Sequence, residues 1–417
     1  MYKEVNSCRI CGNSNLIKVL DLGLQYLTGV FPKDQDKALT KGPLALVKCM
    51  PKANENVCGL VQLQHSYDLD EMYGDTYGYR SGLNQSMVRH LQAKVKKIEG
   101  TIDLKDGDVV IDIGSNDATL LKAYSNSNIQ LYGVDPSAEK FRHFYTDNIS
   151  LITEFFPSQS LFEKMNGKKA KIVTSISMFY DLEEPLKFVQ AVYNVLDSNG
   201  IWVFEQSYMP TMIKTNSYDT VCHEHLEYYC LKQIKWMMDS VGFKIIDIEL
   251  NSINGGSFSL MVTKKESSVF KENSKLIDDF LENERKEGYD TLALYERFSK
   301  KVNQHKEELV SLLTKLKNEG KIVMGYGAST KGNVILQYCN ITEDLLCNIA
   351  EVNEDKFGSF TPGTLIPIIS ETEAKAKKPD YLMVLPWHFR ENFLAREKAY
   401  MEQGGMLIFP LPKIEII

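Results

Sequence analysis

The sequence predicts an α/β protein of three parts: a small cysteine-rich N-terminal module, a Rossmann-like core, and a second, smaller Rossmann-like C-terminal domain. Three observations predict it. Four of the eight cysteines, Cys8, Cys11, Cys49 and Cys58, fall at the start of the chain. From Val109 onward, short apolar runs alternate with stretches of helical periodicity and end in a hairpin pattern. A second strand, glycine turn and helix begin at Gly320. With 417 residues, a prior of about 150 residues per domain gives two or three domains. The divisions read from these patterns are 1–70, 71–265, a helical linker 266–318, and 319–417.

Composition narrows the function classes. Hydrophobic residues are 43% and charged residues 25%, ordinary for a globular protein. The net charge is -7, so no basic footprint points to nucleic acid. No apolar run reaches the roughly 18 residues that span a bilayer. The N-terminal stretch Met1-Tyr-Lys-Glu-Val-Asn6 carries no apolar signal-peptide region, so a cytoplasmic location is expected, with reduced thiols.

Cys8-Arg-Ile-Cys11 has the spacing at which one tight turn presents two thiolates to a metal. With Cys49 and Cys58 they make four sulfurs, the donor set of a closed structural zinc site. The residues between Cys49 and Cys58 must bulge out as a loop. Cys222, Cys230, Cys339 and Cys347 are scattered and read as small core residues.

The stretch Glu71 to Gly82 interleaves Tyr73, Tyr77 and Tyr79 with glycines and reads as a loop, either packed or lining a small-molecule pocket. Met87, Leu91, Val95 and Ile98 then recur at helical spacing.

Val109 to Ile113 is a buried strand, followed by a turn at Gly114 and a predicted helix start capped by Asn116 or Asp117. A second strand ends in Asp135-Pro136, where a carboxylate suits ribose hydroxyls. A dinucleotide site needs G-x-G-x-x-G to seat a pyrophosphate. Here Ser115, Asn116, Asp117 and Ala118 follow Gly114, and Asp112 and Asp117 would repel a pyrophosphate. Two acids suit the cationic end of S-adenosylmethionine, so the charge pattern favours that donor over NAD.

Further strands are predicted at Lys171–Ser177 and Ile201–Glu205, with a helix at Pro185–Leu196 between them. Phe243–Leu250 and Gly256–Thr263 form a closing hairpin, and this order matches a class I methyltransferase core. Ligands in such sheets bind beyond the carboxyl ends of the strands. There, after Glu205, the chain concentrates His223, Glu224, His225, Glu227, Tyr228 and Tyr229. A helix from Glu224 to Met238 would place Glu224 and Tyr228 on one face. A general-base site, a polar helix start and a metal site from His223 and His225 all remain open here. H-E-x-x-H is excluded, because position 227 is Glu.

Lys264 to Asn318 reads as long charged helices that brace two domains. Gly320 to Asn333 gives another strand and glycine-rich turn, then a helix from Val334 to Tyr338. Gly325, Gly327 and Gly332 miss the dinucleotide pattern, and Lys331-Gly332 reverses the Walker order. A helix N-terminus with a lysine is a generic phosphate site; a plain βα turn is the alternative.

Together these residues resemble the S-adenosylmethionine-dependent C-methyltransferases that act on nucleotide-linked 4-keto-deoxysugars. The resemblance runs over essentially the whole chain. It rests on the cysteine-rich start with Leu22-Gly-Leu-Gln25, Tyr77-Gly-Tyr-Arg-Ser81, Ile113-Gly-Ser-Asn-Asp117, His223-Glu-His225, Gly325-Tyr-Gly-Ala-Ser-Thr-Lys-Gly-Asn333 and Leu385-Pro-Trp387. It implies a zinc module held by Cys8, Cys11, Cys49 and Cys58. It implies a methyl-donor site at Asp112, Gly114, Ser115, Asn116, Asp117, Asp135 and Pro136. The C-terminal domain helps hold the nucleotide sugar, with Tyr326, Lys331, Asn333 and His388 as candidates.

The chemistry implied is C3 methylation. A C–H beside a ketone is acidic enough for a positioned base, and the enolate attacks the donor methyl. His225 is the candidate base, with Glu224 orienting it or replacing it. Tyr77, Tyr79 or His223 is the candidate donor to the developing oxyanion. Two positions depart from the family pattern. Cys222 stands where Tyr is common, and Ser177 to Glu183 lacks a histidine that many members carry. Methyl transfer to oxygen or nitrogen and nicotinamide-dependent oxidoreduction are the rival readings. The sequence leaves the oligomeric state open.

Overall fold

The computed structural model describes residues 2–52, 55–68, 71–72 and 80–417. Among the described residues, the regular elements of the N-terminal region are strands: β1 (Tyr2–Glu4), β2 (Leu16–Tyr26), β3 (Lys41–Cys49), β4 (Val61–Leu63) and β5 (His65–Tyr67). β1 and β5 form a two-stranded antiparallel ribbon. β2 and β3 pair antiparallel with a register break between Asp21 and Leu24. Gly23 takes φ +75° there and donates its N–H to Asp21 Oδ1 at 2.9 Å, a bulge closed by a side chain.

The core follows with α1 (Gln85–Thr101), β6 (Val109–Ile113), β7 (Gln130–Val134), β8 (Ile149–Ile152), α2 (Gln159–Met165) and β9 (Ala170–Ile176). Next come α3 (Pro185–Val195), β10 (Leu196–Ser207), α4 (Met209–Lys214), β11 (Glu227–Tyr228), α5 (Leu231–Val241), β12 (Phe243–Asn251) and β13 (Ser257–Lys264). α1 starts where Asn84 Oδ1 accepts the Ser86 N–H, and it buries Met87, Leu91, Val95 and Ile98, the predicted stripe. The main sheet runs β8-β7-β6-β9-β10-β13-β12. β13 is antiparallel to both its neighbours, and the other pairings are parallel. This is the class I methyltransferase arrangement: a parallel sheet whose last strand is reached through one antiparallel hairpin partner.

Two expected helices differ. No α-helix follows the Gly114 turn, because Asn116 (φ 50°) and Ala118 (φ 59°) are left-handed and break helical continuity. A single 3-10 turn at Leu121–Ala123 takes its place. The helix expected from Glu224 begins only at Leu231. Glu227 and Tyr228 are instead claimed as β11, which pairs antiparallel with β4. α5 then starts with a capping box in which Gln233 Oε1 accepts the Cys230 N–H at 2.9 Å.

α6 (Ser274–Glu287) and the long α7 (Leu292–Asn318) lead into β14 (Val323–Tyr326), α8 (Thr330–Tyr338), β15 (Ile349–Glu351), β16 (Ile368–Ser370), α9 (Glu371–Ala376) and β17 (Tyr381–Val384). α10 (Arg390–Arg396), α11 (Lys398–Glu402), β18 (Met406–Phe409) and β19 (Glu415–Ile416) complete the chain. The second sheet runs β16-β15-β14-β17-β18-β19 and is parallel except for β19. That is the doubly wound order of a Rossmann-like domain. α8 begins at Thr330, four residues before the predicted start, because Ser329 caps it through the Gly332 N–H.

One apolar core joins these parts. Leu22 and Leu44 of the small sheet, Tyr218, Val221 and Leu226 of the core, Phe298 and Leu309 of α7, and Ile335 and Leu385 of the C-terminal domain pack in one cluster. Burying each such side chain stabilises by about 1.5–3 kcal/mol. The segment around His225 is thus held from three sides. Among the described residues, no helix is long and apolar enough to cross a membrane.

Candidate active site and metal centre

The carboxyl ends of β6, β7 and β9 open onto a cavity of ≈ 270 Å³. Asp112, Gly114, Ser115, Asn116, Asp135 and Pro136 all line it, as the sequence predicts. Gly114 sits at φ +75°, and a Cβ there would press on Met178, so the turn is shaped for glycine. Asp135 Oδ2 accepts the Asn116 N–H at 2.9 Å and its Oδ1 the Ser137 N–H at 2.8 Å, which fixes the carboxylate at the end of β7. Asp112 accepts from Thr174 Oγ1 at 2.6 Å; burial pushes its pKa up to about 7. Asp117 is placed differently. Its carboxylate accepts the Gly82 N–H at 2.9 Å and pins the Ser81–Leu83 turn, away from the cavity lining.

The cavity wall tests the donor. Among the described residues it carries four acids, Asp112, Asp135, Asp181 and Glu183, and no Lys, Arg or His. Leu91, Val134, Phe156 and Met178 supply apolar surface. That lining fits S-adenosylmethionine, a cation with an apolar purine, and repels a pyrophosphate.

Beyond this wall lies the His-Glu-His stretch. His225 Nδ1 donates to the Thr220 carbonyl at 2.8 Å. Burial first, and the Lys331 charge second, bring the His225 pKa down to about 4. The ring is therefore neutral at pH 7 with a bare lone pair on Nε2. Its face meets the Tyr180 ring at 4.3 Å, and the next residue, Asp181, lines the donor cavity. Burial raises the Glu224 carboxyl above the usual range. Gly29 of the N-terminal region lies against Glu224 Oε1, close enough that a Cβ there would displace it. His223 is fully buried on the other side, edge-on to Tyr67 at 4.6 Å; burial lowers its pKa to about 3. It is not among the residues that line the donor cavity. Tyr77 and Tyr79 lie outside the described residues.

The C-terminal domain contributes unequally. Lys331 Nζ reaches across to the Asn254 carbonyl at 2.6 Å, and burial depresses its pKa. It points into the junction between the two Rossmann-like parts. His388 is beside it, with its pKa lowered to about 3 by burial and then by Lys331. Asn333 Nδ2 donates to the Thr28 carbonyl at 2.8 Å and ties α8 to the N-terminal region. Tyr326 is elsewhere: its hydroxyl lies 2.7 Å from Glu371 Oε1 and 2.6 Å from Glu397 Oε1, with one proton to donate between them.

Three groups escaped sequence reasoning. Asp219 is fully buried, accepts the Trp387 indole N–H at 2.8 Å, and is raised by burial against the opposing pull of Lys331. Glu205, at the end of β10, holds His90 and Lys94 at 2.7 Å each and Asn251 at 2.8 Å. Asp181 forms part of the donor cavity wall. Glu205 and Asp181 were findable as acids at or just past the carboxyl end of a parallel strand. Asp219 was not, since its partner is remote in sequence.

The four N-terminal cysteines converge, with all four sulfurs within 4.8 Å of one another. Cys8–Cys58 is 3.4 Å, and Cys11 is 3.6 Å from both Cys49 and Cys58. Zinc–sulfur bonds of about 2.3 Å set a tetrahedral edge near ~3.8 Å, so this cluster fits Zn2+ with little adjustment. Asn13 Nδ2 donates to Cys49 Sγ at 3.2 Å, a contact suited to a thiolate ligand. The long loop before Cys58 does not prevent it from closing the set.

The family models agree with this geometry. Family models match in series: a zinc binding domain at residues 8–73, a methyltransferase domain at 83–248, and a C-methyltransferase C-terminal domain at 252–412. The chain is 26% identical to the C-methyltransferase NovU of Streptomyces niveus, over 100% of this chain and 98% of that protein. Among solved structures, magnesium protoporphyrin IX methyltransferase from Synechocystis, with bound SAH, matches at 16% identity and a TM-score of 0.34, covering 46% of this chain and 90% of that one. An S-adenosylmethionine-dependent methyltransferase from Clostridium acetobutylicum matches at 11% identity and a TM-score of 0.34, covering 42% and 92%.

Proposed function

We propose that this chain, an S-adenosylmethionine-dependent C-methyltransferase with a structural zinc module, methylates C3 of a nucleotide-linked 4-keto-deoxysugar. The observation that carries the reading is His225. It is neutral, its tautomer is set by the Thr220 carbonyl, and Tyr180 bridges it to the wall of the donor cavity. A base with a bare Nε2 next to an acidic, donor-shaped cavity suits removal of a proton from carbon beside a ketone. Methyl transfer to oxygen or nitrogen needs no such carbon acid.

In this reading Asp135 and Asp112 hold the donor's ribose and cationic ends, and bound donor supplies an electrophilic methyl. His225 Nε2 takes the C3 proton. Lys331, the buried cation beside it, opposes the charge of the enolate oxygen. Glu224, its carboxyl raised by burial, orients His225 or serves in its place. The chain divides at 1–70, 71–265, 266–318 and 319–417, and the last part holds the nucleotide through the face that carries Lys331 and His388.

The test is a panel of nucleotide 4-keto sugars with labelled methyl donor in D2O. Label transfer to one of them, with deuterium entering the carbon beside the ketone, supports the reading. Transfer only to oxygen or nitrogen acceptors would sink it.

A further inference from the structure

Arg9 lies inside the metal-binding turn, between Cys8 and Cys11, yet its side chain leaves the cysteine cluster. It is buried, with only 2% of the side chain exposed. Its backbone N–H donates to Gln62 Oε1 at 2.9 Å, Nη1 to the Leu63 carbonyl at 2.7 Å, and Nη2 to Ser66 Oγ at 2.9 Å. Two guanidinium bonds, to the last residue of β4 and to β5, and the backbone bond to Gln62 of β4 fix Arg9 against the N-terminal strands. The remaining edge, Nε, faces the core. It is 3.4 Å from Glu183 Oε2 and 3.7 Å from Glu227 Oε1.

These two acids are not equivalent. Glu227 belongs to β11, is buried, and among the described residues has Arg9 as its one ion-pair partner. Glu183 is 43% exposed and lines the donor cavity together with Asp181 and Leu182. Backbone bonds run parallel to the Arg9 contact: Leu63 N–H to the Leu226 carbonyl and Leu226 N–H to the Tyr180 carbonyl, both 2.8 Å. The Tyr180–Glu183 segment is therefore suspended between the donor cavity and the small sheet.

We infer that Arg9 is a positioning residue for the methyl donor, through which the cysteine cluster holds the Asp181–Glu183 wall of the donor cavity in place. The inference rests on the donor assignment above and adds a task for the metal module. The metal fixes the turn, the turn fixes Arg9, and Arg9 adds a side-chain tie from the N-terminal strands to that loop.

The test uses full-length, zinc-loaded protein. Wild type, Arg9→Met, Glu183→Gln, the Arg9→Met/Glu183→Gln pair and Arg9→Met/Glu227→Gln are compared for zinc content, urea stability and S-adenosylhomocysteine affinity by calorimetry. Arg9→Met is expected to keep one zinc per chain and to weaken affinity roughly tenfold, as loss of one charge-assisted contact does. Adding Glu227→Gln replaces the buried carboxyl that Arg9→Met leaves without its ion-pair partner, so stability recovers while affinity stays weak. In the Glu183→Gln background, Arg9→Met should cost much less affinity, because the two act on one contact. Wild-type affinity in Arg9→Met overturns the inference, as does joint recovery of stability and affinity in the Glu227→Gln pair. If Arg9→Met fails to fold, Glu183→Gln alone decides: unchanged affinity overturns the inference. Failure of wild type itself to bind S-adenosylhomocysteine would instead overturn the donor assignment.

Discussion

Replacing Lys331 with Met should move the protonation of His225 in a known direction and by a bounded amount. In the native site the His225 pKa is down at about 4, first through burial and then through the Lys331 charge. The distance from its ordinary 6.5 is worth about 3 kcal/mol. The sign follows from which form is disfavoured. Burial and a neighbouring cation both penalise imidazolium, so the neutral, base-competent ring persists well below pH 6.5. The same displacement makes acid destabilising, because the unfolded chain takes up the proton first as pH falls below 6.5. Removing the Lys331 charge leaves burial in place. The pKa should rise from about 4 but stop short of 6.5. Ring-proton NMR of His225 between pH 5 and 8 reads this without any substrate. Wild type should show no midpoint in that window, and Lys331→Met should show one entering from the acid side. In turnover, the acid limb of kcat/KM should shift the same way. A wild-type midpoint near 6.5, or none for Lys331→Met when its kcat/KM limb is also unmoved, would refute the reasoning.

Zinc should be present at one ion per chain. Cys58→Ser should lose it and destabilise the N-terminal sheet by up to about 10 kcal/mol, read by elemental analysis and urea unfolding. Asp112 has its pKa raised to about 7 by burial, so ligand-free protein loses stability as pH rises from 3.8 through 7. Asp112→Asn should therefore stabilise ligand-free protein at pH 8 by up to about 4 kcal/mol while weakening S-adenosylhomocysteine binding; a loss of stability at pH 8 would contradict this. Gly29→Ala should displace the flexible end of Glu224 at little cost in stability and lower kcat roughly 10–100-fold. Unchanged kcat would remove Glu224 from the chemistry.

Much of the fold was legible because local signals agreed with the global arrangement. The strand Val109–Ile113, the α1 stripe and the hairpin at Asn254-Gly255 carry their own periodicity and turn residues. Two elements were misread where a remote partner outweighed local preference. Glu227 and Tyr228 sit in a run that is helical by spacing, yet their backbone completes the sheet begun by β2, β3 and β4. No local pattern announces a two-residue strand whose partner is Val61–Gln62. The turn after Gly114 failed for a different reason. Asn116 and Asp117 look like helix caps, but their groups are spent on Asp135, Ser81 and Gly82, and two left-handed residues result.

The site was half legible for the same reason. Residue types announced the acids that line the cavity at the strand ends and the four cysteines that converge, since both sets are read by charge or by sulfur count. The roles of Lys331 and Asn333 were not readable, because they depend on which neighbouring part each faces. The Lys331 ammonium group donates to the Asn254 carbonyl, a contact that no local pattern announces. The Asn333 amide donates to the Thr28 carbonyl, a contact equally remote in sequence. Both contacts cross between parts of the chain, as do Arg9 with Glu183 and Trp387 with Asp219. The loss of the expected helix at Glu224 explains why. A helix would carry His225 on its own internal hydrogen bonds, whereas an irregular segment must borrow its support. Here the support comes from β4, from Tyr180, from Gly29 and, through Asp219 and Trp387, from the C-terminal domain. The geometry of His225 is thus a property of all three parts packed together. A substitution at any of those contacts should alter the setting of His225 before it alters the stability of the main sheet.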